Sequence, residues 1–283
     1  MTTHRCVGID QGYSQMGIAI LEPGGALLAS ERLREPHTDG HDRAVALSRL
    51  HVLLARLKPF RDAPVRLAGY CYADSGVAQA FEEAGWTVVG TSALNDVVGV
   101  YGLSDMRGHA VVAGCGTYAQ VVYVDARQAV RWPGEDVAPE LPPWLLSGEA
   151  YARFVAEQGR APDGADVAAS PWRWAALGPA LTGMLDAPDA RRFVARAAEA
   201  VVRTRDVFWR HSGRSRPPDV LMGGGAVAAP GLWAAVEKQA RARGVALRRV
   251  EGPPAVGLAR FAMTHPDADA WAVIGETPPA WLR

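Results

Sequence analysis

The chain has 283 residues, a formal net charge of zero and no long basic segment, so its size suits two lobes and its charge argues against a nucleic-acid partner. Its three cysteines lie far apart and form no C-x-x-C pair, which argues against a disulfide framework or a zinc site and favours a reducing compartment. No apolar run approaches the ~18 residues that span a membrane, and no signal-peptide core is present. We therefore predict a cytoplasmic protein without a membrane partner.

The first half of the chain predicts strands and helices in the order β-β-β-α-β-α-β. Glycines separate the first three apolar runs, which indicates an antiparallel meander. Leucines at helical spacing predict the first helix. The predicted elements lie at residues 6–9, 15–21, 26–30, 42–57, 65–71, 77–84 and 86–89. This order is typical of an RNase H-like fold, a sheet with antiparallel front strands and crossover helices.

A second, weaker copy of the same pattern begins at His109. Its predicted strands lie at residues 110–113, 119–124, 129–132 and 219–222, and its helices at 147–157, 187–210 and 256–265. An internal duplication predicts two α/β lobes, residues 1–108 and 109–283, around one ligand cleft. The last helix is able to pack back on the first lobe.

Three glycine-centred segments follow one another along the chain, at residues 7–21, 111–122 and 220–227. In the first two, a turn of glycine and a small hydroxyl residue joins two apolar strands. Such turns point several backbone N–H groups at one spot, where anions bind. Two facing turns would hold a polyphosphate from both sides, and a third glycine turn would take a flat base. The segments therefore predict a nucleotide ligand.

This order resembles the superfamily of actin, sugar kinases and heat-shock ATPases, in which the segments are called phosphate 1, phosphate 2 and adenosine. The chain looks most like the N-acetylglucosamine kinase and BadF-type ATPase family. Residues 93–100 resemble that family's Asn-Asp segment, and residues 253–259 resemble its Pro-Ala-x-Gly helix start. The resemblance implies a two-lobed actin-like ATPase fold, ATP and Mg²⁺ as cofactors, and a homodimer.

The resemblance also implies roles for individual residues. Asp10 would hold the magnesium–phosphate unit, usually through water, and Asp96 would be the general base that takes a proton from the acceptor hydroxyl. Asn95 would orient the substrate or the loop. Simpler interpretations are a turn aspartate at position 10 and a helix N-cap at positions 95 and 96. The implied nucleotide contacts are Gly12, Tyr13, Ser14, Gln15, Gly114, Gly116, Thr117, Gly223, Gly224 and Gly225.

The chain departs from the family in two places. Its first turn has Tyr13 and Gln15 where the family usually has glycine-rich sequence and Lys or Ser, and the motifs that contact N-acetylglucosamine are eroded. We expect His37, Asp39 and Glu149 to contact the acceptor. For His37 and Asp39 the alternatives are a metal site together with His41 or a polar loop that caps a helix, and for Glu149 the alternative is a solvated acidic loop. The predicted acceptor is a small molecule with a hydroxyl group, a sugar or an amino-sugar-like compound.

Three other functions fit parts of the sequence. A non-catalytic or regulatory ATP-binding protein of the same fold would explain Tyr13 and the missing sugar motif. A RuvC-type nuclease shares the opening Gly-Ile-Asp-x-Gly, but the strand at 65–71 carries no acid and Asp74 is a poor substitute. Iron–sulfur activators of the BadF type need Cys-Gly-Gly motifs, which the chain lacks. The sequence therefore favours a Mg-ATP-dependent phosphotransferase.

Overall fold

The computed structural model describes residues 3–12, 15–34, 43–70, 76–106, 108–115, 119–124, 129–131, 140–141, 159, 188–224, 230–265 and 272–273. The chain forms two compact units. The first contains Met1–Arg107, Val124–Ala129 and Glu251–Ala272, and the second contains Gly108–Tyr123, Val130–Val250 and Val273–Arg283. A segment near the end of the chain thus belongs to the first unit.

The described strands are β1 (Arg5–Gln11), β2 (Gln15–Leu21), β3 (Leu27–Arg34), β4 (Val65–Tyr70), β5 (Val88–Ala93), β6 (Ala110–Cys115), β7 (Ala119–Val124), β8 (Ala129–Arg131), β9 (Glu140–Leu141), β10 (Asp219–Gly223), β11 (Leu247–Arg249) and β12 (Ala272–Val273). The described α-helices are α1 (Arg43–Leu57), α2 (Val77–Glu83), α3 (Asp96–Gly102), α4 (Pro188–Ser212), α5 (Pro230–Arg241) and α6 (Pro254–Thr264). A short 3₁₀ helix, Lys58–Phe60, follows α1.

The first unit is built on a five-stranded sheet in the order β3-β2-β1-β4-β5. Strand β2 pairs antiparallel with β1 and β3, which confirms the predicted meander. Strand β4 runs parallel to both β1 and β5, as crossover helices require. This is the predicted RNase H-like arrangement.

Strand β1 is buried on both faces, which explains its nearly continuous apolar sequence. On one face, Val7 and Ile9 belong to a core that includes Leu50 and Leu53 of α1. On the other face, Cys6 packs in a smaller core with residues of α6. The sheet therefore lies between two helical layers, and its central strand is fixed from both sides.

The second unit repeats the strand order of the first. Its sheet has the order β11-β10-β6-β7-β8-β12, with β9 paired to β7. Strand β10 runs parallel to both β6 and β11, as β4 does to β1 and β5. Helix α4 packs on α5 and on β6. The two halves of the sequence are only weakly similar, but the internal duplication predicted from them is present in the strand order of the two sheets.

Several element boundaries differ from the prediction. Strand β3 continues to Arg34 rather than ending at residue 30, because an edge strand tolerates charged residues on its open face. Strand β5 begins at Val88 rather than 86, because Trp86 is buried in the turn after α2, with its ring 5.6 Å from that of Phe81. Helix α6 begins at Pro254, two residues early, because proline is favoured in a first helical turn.

Strand β11 was not predicted, because two of its three residues are arginines. The predicted helix at 147–157 lies outside the described residues. Within the described residues, no helix is both long and apolar enough to cross a membrane.

Candidate functional site

The carboxyl ends of β1, β4 and β5 lie side by side at one edge of the first sheet. Asp10 of β1 is opposite Tyr70 of β4, and Gly69 of β4 is opposite Ala93 of β5. Asn95 and Asp96 follow β5 after one intervening residue, Leu94. The carboxyl edge of parallel strands is where ligands of open α/β sheets bind. The fold therefore brings the two aspartates singled out in the sequence to the same edge.

The carboxylate of Asp10 is buried, with only 8% of the residue exposed. In the part of the chain that the structure describes, no hydrogen-bond donor contacts it. Burial raises the pKa of Asp10 to about 7, the negative charge of Asp96 adds to the rise, and the positive charge of Arg32 opposes it. A buried carboxylate without donors is expensive unless a cation accompanies it.

Asp10 fits the chemistry of a magnesium ligand. Mg²⁺ prefers oxygen ligands, keeps several of its waters and is commonly held by one or two carboxylates together with substrate phosphates. No group of three or more His, Cys, Asp or Glu that would form an all-protein metal site occurs among the described residues. A single buried carboxylate near a second one suits a cation that keeps several of its waters better than it suits an all-protein metal site.

Asn95 caps helix α3. Its side-chain oxygen accepts a hydrogen bond of 2.9 Å from the N–H of Val97, and the residue is only 3% exposed. The capping interpretation is therefore correct for Asn95, and a direct contact with an acceptor stays a prediction. The cap fixes where α3 begins, which agrees with a role in orienting the loop.

Asp96 is the first residue of α3, and its surface is exposed. Its carboxylate accepts a second hydrogen bond of 2.9 Å from the Val97 N–H. Loss of hydration raises the pKa of Asp96, and the Val97 N–H opposes that rise. Because the residue keeps exposed surface, the loss of hydration is partial. A reachable carboxylate with a raised pKa has the properties of a general base.

Glycines allow α6 to touch both α3 and β1 through the backbone. A Cβ atom at Gly257 would overlap the carbonyl oxygen of Gly99, and one at Gly102 would overlap the carbonyl oxygen of Gly257. A Cβ at Gly8 would overlap the carbonyl oxygen of Ala255. No larger residue fits such contacts.

These contacts have a consequence for the site. The Asn-Asp segment and the Pro-Ala-x-Gly segment, about 150 residues apart in the sequence, pack against each other through Gly99 and Gly257. They also hold α3 beside β1, so the helix that carries Asp96 is fixed relative to the strand that carries Asp10. The sequence allowed the last helix to pack back on this unit but did not identify these contacts.

The first glycine turn is held by its own backbone and by α1. The Gly12 N–H donates a 2.8 Å hydrogen bond to the carbonyl oxygen of Gln15. The guanidinium of Arg49, which is 1% exposed, donates a 3.1 Å bond to the carbonyl oxygen of Gly12. Tyr13 and Ser14 lie outside the described residues. A buried arginine of α1 therefore stabilises the turn, and the sequence did not indicate this contact.

In the second unit, the second and third glycine segments are neighbours. Gly114, the last residue but one of β6, is the direct cross-strand partner of Gly223, the last residue of β10. Gly224 follows with a φ of 104°, a conformation that only glycine adopts without strain. At this edge, two cross-strand neighbours are thus both glycines, and no side chain of their own covers their backbone. Gly116, Thr117 and Gly225 lie outside the described residues.

The predicted acceptor contacts are not available for comparison, because His37, Asp39 and Glu149 lie outside the described residues. Sequence reasoning missed Arg32, whose charge acts on Asp10. Once the strand registers are known, counting across the hairpins from Asp10 leads through Gly17 to Arg32, but the sequence alone does not set those registers.

No protein-family model and no curated protein matches the sequence. Solved structures do match it. A Porphyromonas gingivalis protein assigned as an N-acetylglucosamine kinase has 15% identity and a TM-score of 0.59, covering 93% of this chain and 100% of that one. A ROK-family glucokinase from Streptomyces griseus, in complex with glucose and AMPPNP, has 14% identity and a TM-score of 0.56, covering 93% and 99%.

The ethanolamine utilization protein EutJ from Carboxydothermus hydrogenoformans is also similar, with 14% identity, a TM-score of 0.55 and coverage of 92% and 91%. At such identities a structural likeness establishes the fold and not the activity. The resemblance seen in the sequence is thus confirmed at the level of architecture, and the chain has the actin-like ATPase fold of the sugar kinases.

Proposed function

We propose that the protein is a Mg-ATP-dependent phosphotransferase that phosphorylates a hydroxyl group of a sugar or an amino-sugar-like small molecule. The observation that carries the proposal is the placement of Asp10 and Asp96 at one carboxyl edge, close enough for the charge of Asp96 to raise the pKa of Asp10. One carboxylate is buried and suits a cation, and the other is exposed and suits a substrate.

Asp96 acts as the general base in this proposal. Its carboxylate takes the proton from the acceptor hydroxyl while the hydroxyl oxygen bonds to the terminal phosphorus of ATP. The bond from that phosphorus to the bridging oxygen breaks, and ADP leaves with the electron pair. The cap by Asn95 and the packing of Gly99 hold the base in place.

Asp10 would hold Mg²⁺, directly or through water. When bound, Mg²⁺ neutralises charge on the phosphate oxygens. The nucleotide contacts of the proposal come from the backbone of the glycine segments, at Gly12 and Gln15 in the first unit and at Gly114, Gly223 and Gly224 in the second. Tyr13, Ser14, Gly116, Thr117 and Gly225 belong to the same segments, and His37, Asp39 and Glu149 stay predicted acceptor contacts.

The comparisons support this assignment at a coarser level. The similar structures include proteins named as sugar kinases, and the Streptomyces griseus glucokinase was solved with glucose and an ATP analogue. For this chain, ATP, Mg²⁺, the acceptor, a homodimer and a cytoplasmic location stay predictions.

The test is ADP release from Mg-ATP with a panel of amino sugars, neutral sugars and aminoglycoside-like alcohols. Wild type is compared with Asp96→Asn, and Asp219→Asn, at the opposite end of β10 from Gly223, is the matched control. We expect acceptor-dependent release that falls by about 10²- to 10⁴-fold in Asp96→Asn, since that is the usual contribution of a general base. The control should keep wild-type rates.

Nucleotide affinity, measured by calorimetry on the same proteins, separates the outcomes. Equal ATP affinity in wild type and Asp96→Asn, with turnover lost only in the variant, supports the assignment of the base. ATP binding with no release for any acceptor would favour a non-catalytic ATP-binding protein. No ATP binding would overturn both functions.

A further inference from the structure

Two arginines of β3 lie on the same face of the sheet as Asp10. In the antiparallel registers, Asp10 is opposite Gly17, and Gly17 is opposite Arg32. Directly opposed residues of neighbouring strands project from the same face. Arg34 is two residues further along β3, opposite Gln15, and so shares this face. Arg34 therefore lies beside the first residue after the glycine turn.

Glycine at position 17 keeps the space between the carboxylate and the arginine free. A Cβ atom there would lie 3.9 Å from the Cβ of Asp10 and 4.0 Å from its Oδ2. Any longer side chain would separate Asp10 from Arg32. Instead the two charges act on each other. Loss of hydration lowers the pKa of Arg32, and the nearby charge of Arg34 lowers it further. Two positive charges thus lie close together beside one negative charge.

The opposite face of the same strand is different. There Glu31 forms an ion pair of 3.7 Å with Arg56 of α1. Arg32 and Arg34 are exposed on an edge strand, and within the described residues neither guanidinium makes a hydrogen bond or an ion pair. Within the described residues, the N–H donors of both guanidinium groups are therefore free to bind a ligand.

We propose that Arg32 and Arg34 form an anion-binding site beside Asp10 that takes an oxyanion of the reacting complex. Guanidinium groups bind phosphate and carboxylate through paired N–H donors, and an anion between two arginines also relieves their mutual repulsion. The position of Arg34 beside the first glycine turn favours the terminal phosphate of the nucleotide. An acid group on the acceptor has the same chemistry and is the other source.

This inference deepens the proposed function, because it names the cations that would neutralise the transferred group. Part of it is independent of catalysis. A polyphosphate should bind to the arginines even if no acceptor is ever phosphorylated, and that binding can be measured without turnover.

The experiment compares wild type with Arg32→Gln and Arg34→Gln. The matched control is Arg56→Gln, which removes an arginine from the opposite side of the same sheet. Calorimetry measures affinity for tripolyphosphate, ATP and ADP with and without Mg²⁺, and thermal unfolding checks that each variant is folded. Both target arginines are exposed, so folding should be retained.

If the arginines hold the terminal phosphate, Arg32→Gln should lower the affinity for tripolyphosphate and for ATP by about tenfold or more. The affinity for ADP should fall by much less. Arg32→Lys should restore part of the affinity. If they hold an acid group of the acceptor, polyphosphate affinities stay unchanged and the KM for an acidic acceptor rises in both variants. Either result supports the site and identifies its source.

Wild-type affinities for polyphosphates together with wild-type kinetics for every acceptor, in both variants, would overturn the inference. Its failure is distinct from failure of the proposed function. Arginine-dependent tripolyphosphate binding without any kinase activity keeps the site and removes the kinase. Acceptor-dependent ADP release that is unchanged in both arginine variants, together with unchanged polyphosphate affinities, would support the kinase and remove the anion-binding site.

Discussion

The two units have the same strand order but offer different chemistry at their carboxyl edges. In the first unit, the edge presents side chains, because Asp10 is the last residue but one of β1 and the chain after β5 leads to Asn95 and Asp96. In the second unit, β6 and β10 correspond to β1 and β4, and they carry Gly114 and Gly223 at this edge, where the glycines present backbone. The first copy of the fold thus carries carboxylates at its carboxyl edge, and the second copy carries bare backbone at the equivalent edge. We expect substitutions to affect metal and proton chemistry in the first unit and backbone geometry in the second.

The largest expected effect comes from Asp10→Asn. Removing the buried charge should reduce turnover by about 100-fold or more and abolish most of the gain in ATP affinity that Mg²⁺ gives, because the cation loses its protein ligand. ATP affinity without Mg²⁺ should change little. Calorimetry with and without Mg²⁺ measures this, with Asp219→Asn as the control. If Mg²⁺ raises the ATP affinity of Asp10→Asn as much as it raises that of wild type, Asp10 is not a ligand of the metal.

The next effect concerns the glycine contacts that fix the first edge. Gly257→Ala would place a methyl group against the backbone of α3, so α6 and α3 must separate. Overpacking costs about 1–3 kcal/mol, and more where backbone cannot yield, so we expect a loss near or above 3 kcal/mol in the free energy of unfolding.

Denaturant unfolding checks this value, and Gly24→Ala is the control, because a Cβ at position 24 meets nothing within 4 Å. A residual folded fraction of Gly257→Ala should also show reduced turnover with ordinary ATP affinity, since the helix that carries Asp96 has moved. Equal stabilities of the two variants would contradict the packing account.

A smaller effect is the pH dependence of stability that Asp10 causes. The folded pKa is about 7, well above the ordinary value of 3.8, so the folded chain keeps a proton that the unfolded chain releases. The contribution of Asp10 is therefore most favourable below its ordinary pKa and is lost as the pH rises through about 7.

Between about pH 5 and about pH 8, we expect the free energy of unfolding to fall by roughly 2 kcal/mol more in wild type than in Asp10→Asn, without Mg²⁺. Added Mg²⁺ should reduce the difference, because it stabilises the carboxylate. Chemical unfolding at the two pH values measures it. Parallel pH profiles for the two proteins would mean that Asp10 is not buried as the structure has it.

The smallest effect tests the second unit. Gly224→Ala forces a φ of 104° on a residue with a side chain, which should cost about 1–2 kcal/mol of stability. Turnover should fall only through weaker nucleotide binding, with no change in the Mg²⁺ dependence. Unfolding and ATP calorimetry check both, again against Gly24→Ala. If Gly224→Ala changes the effect of Mg²⁺ on ATP affinity, metal chemistry is not confined to the carboxyl edge of the first unit.

Much of the fold followed from local patterns. The hairpin of β1 and β2, helix α1 and helix α4 were predicted to within a few residues, because apolar periodicity reports directly on which face is buried. Strand β3 shows where that signal fails. Its second half reads Glu-Arg-Leu-Arg, which lacks an apolar run, yet pairing with β2 extends it to Arg34. Arg32 was overlooked for the same reason.

The sequence by itself determined the order of the elements, the duplication, the three glycine segments and the two aspartates. Each depends on residues close in the chain, whose spacing sets strand, turn or helix. Only the tertiary structure decided which residues meet. The row from Asp10 through Gly17 to Arg32 depends on register between strands, and the contact of Gly99 with Gly257 joins segments about 150 residues apart. Such contacts depend on long-range packing, which local spacing does not encode.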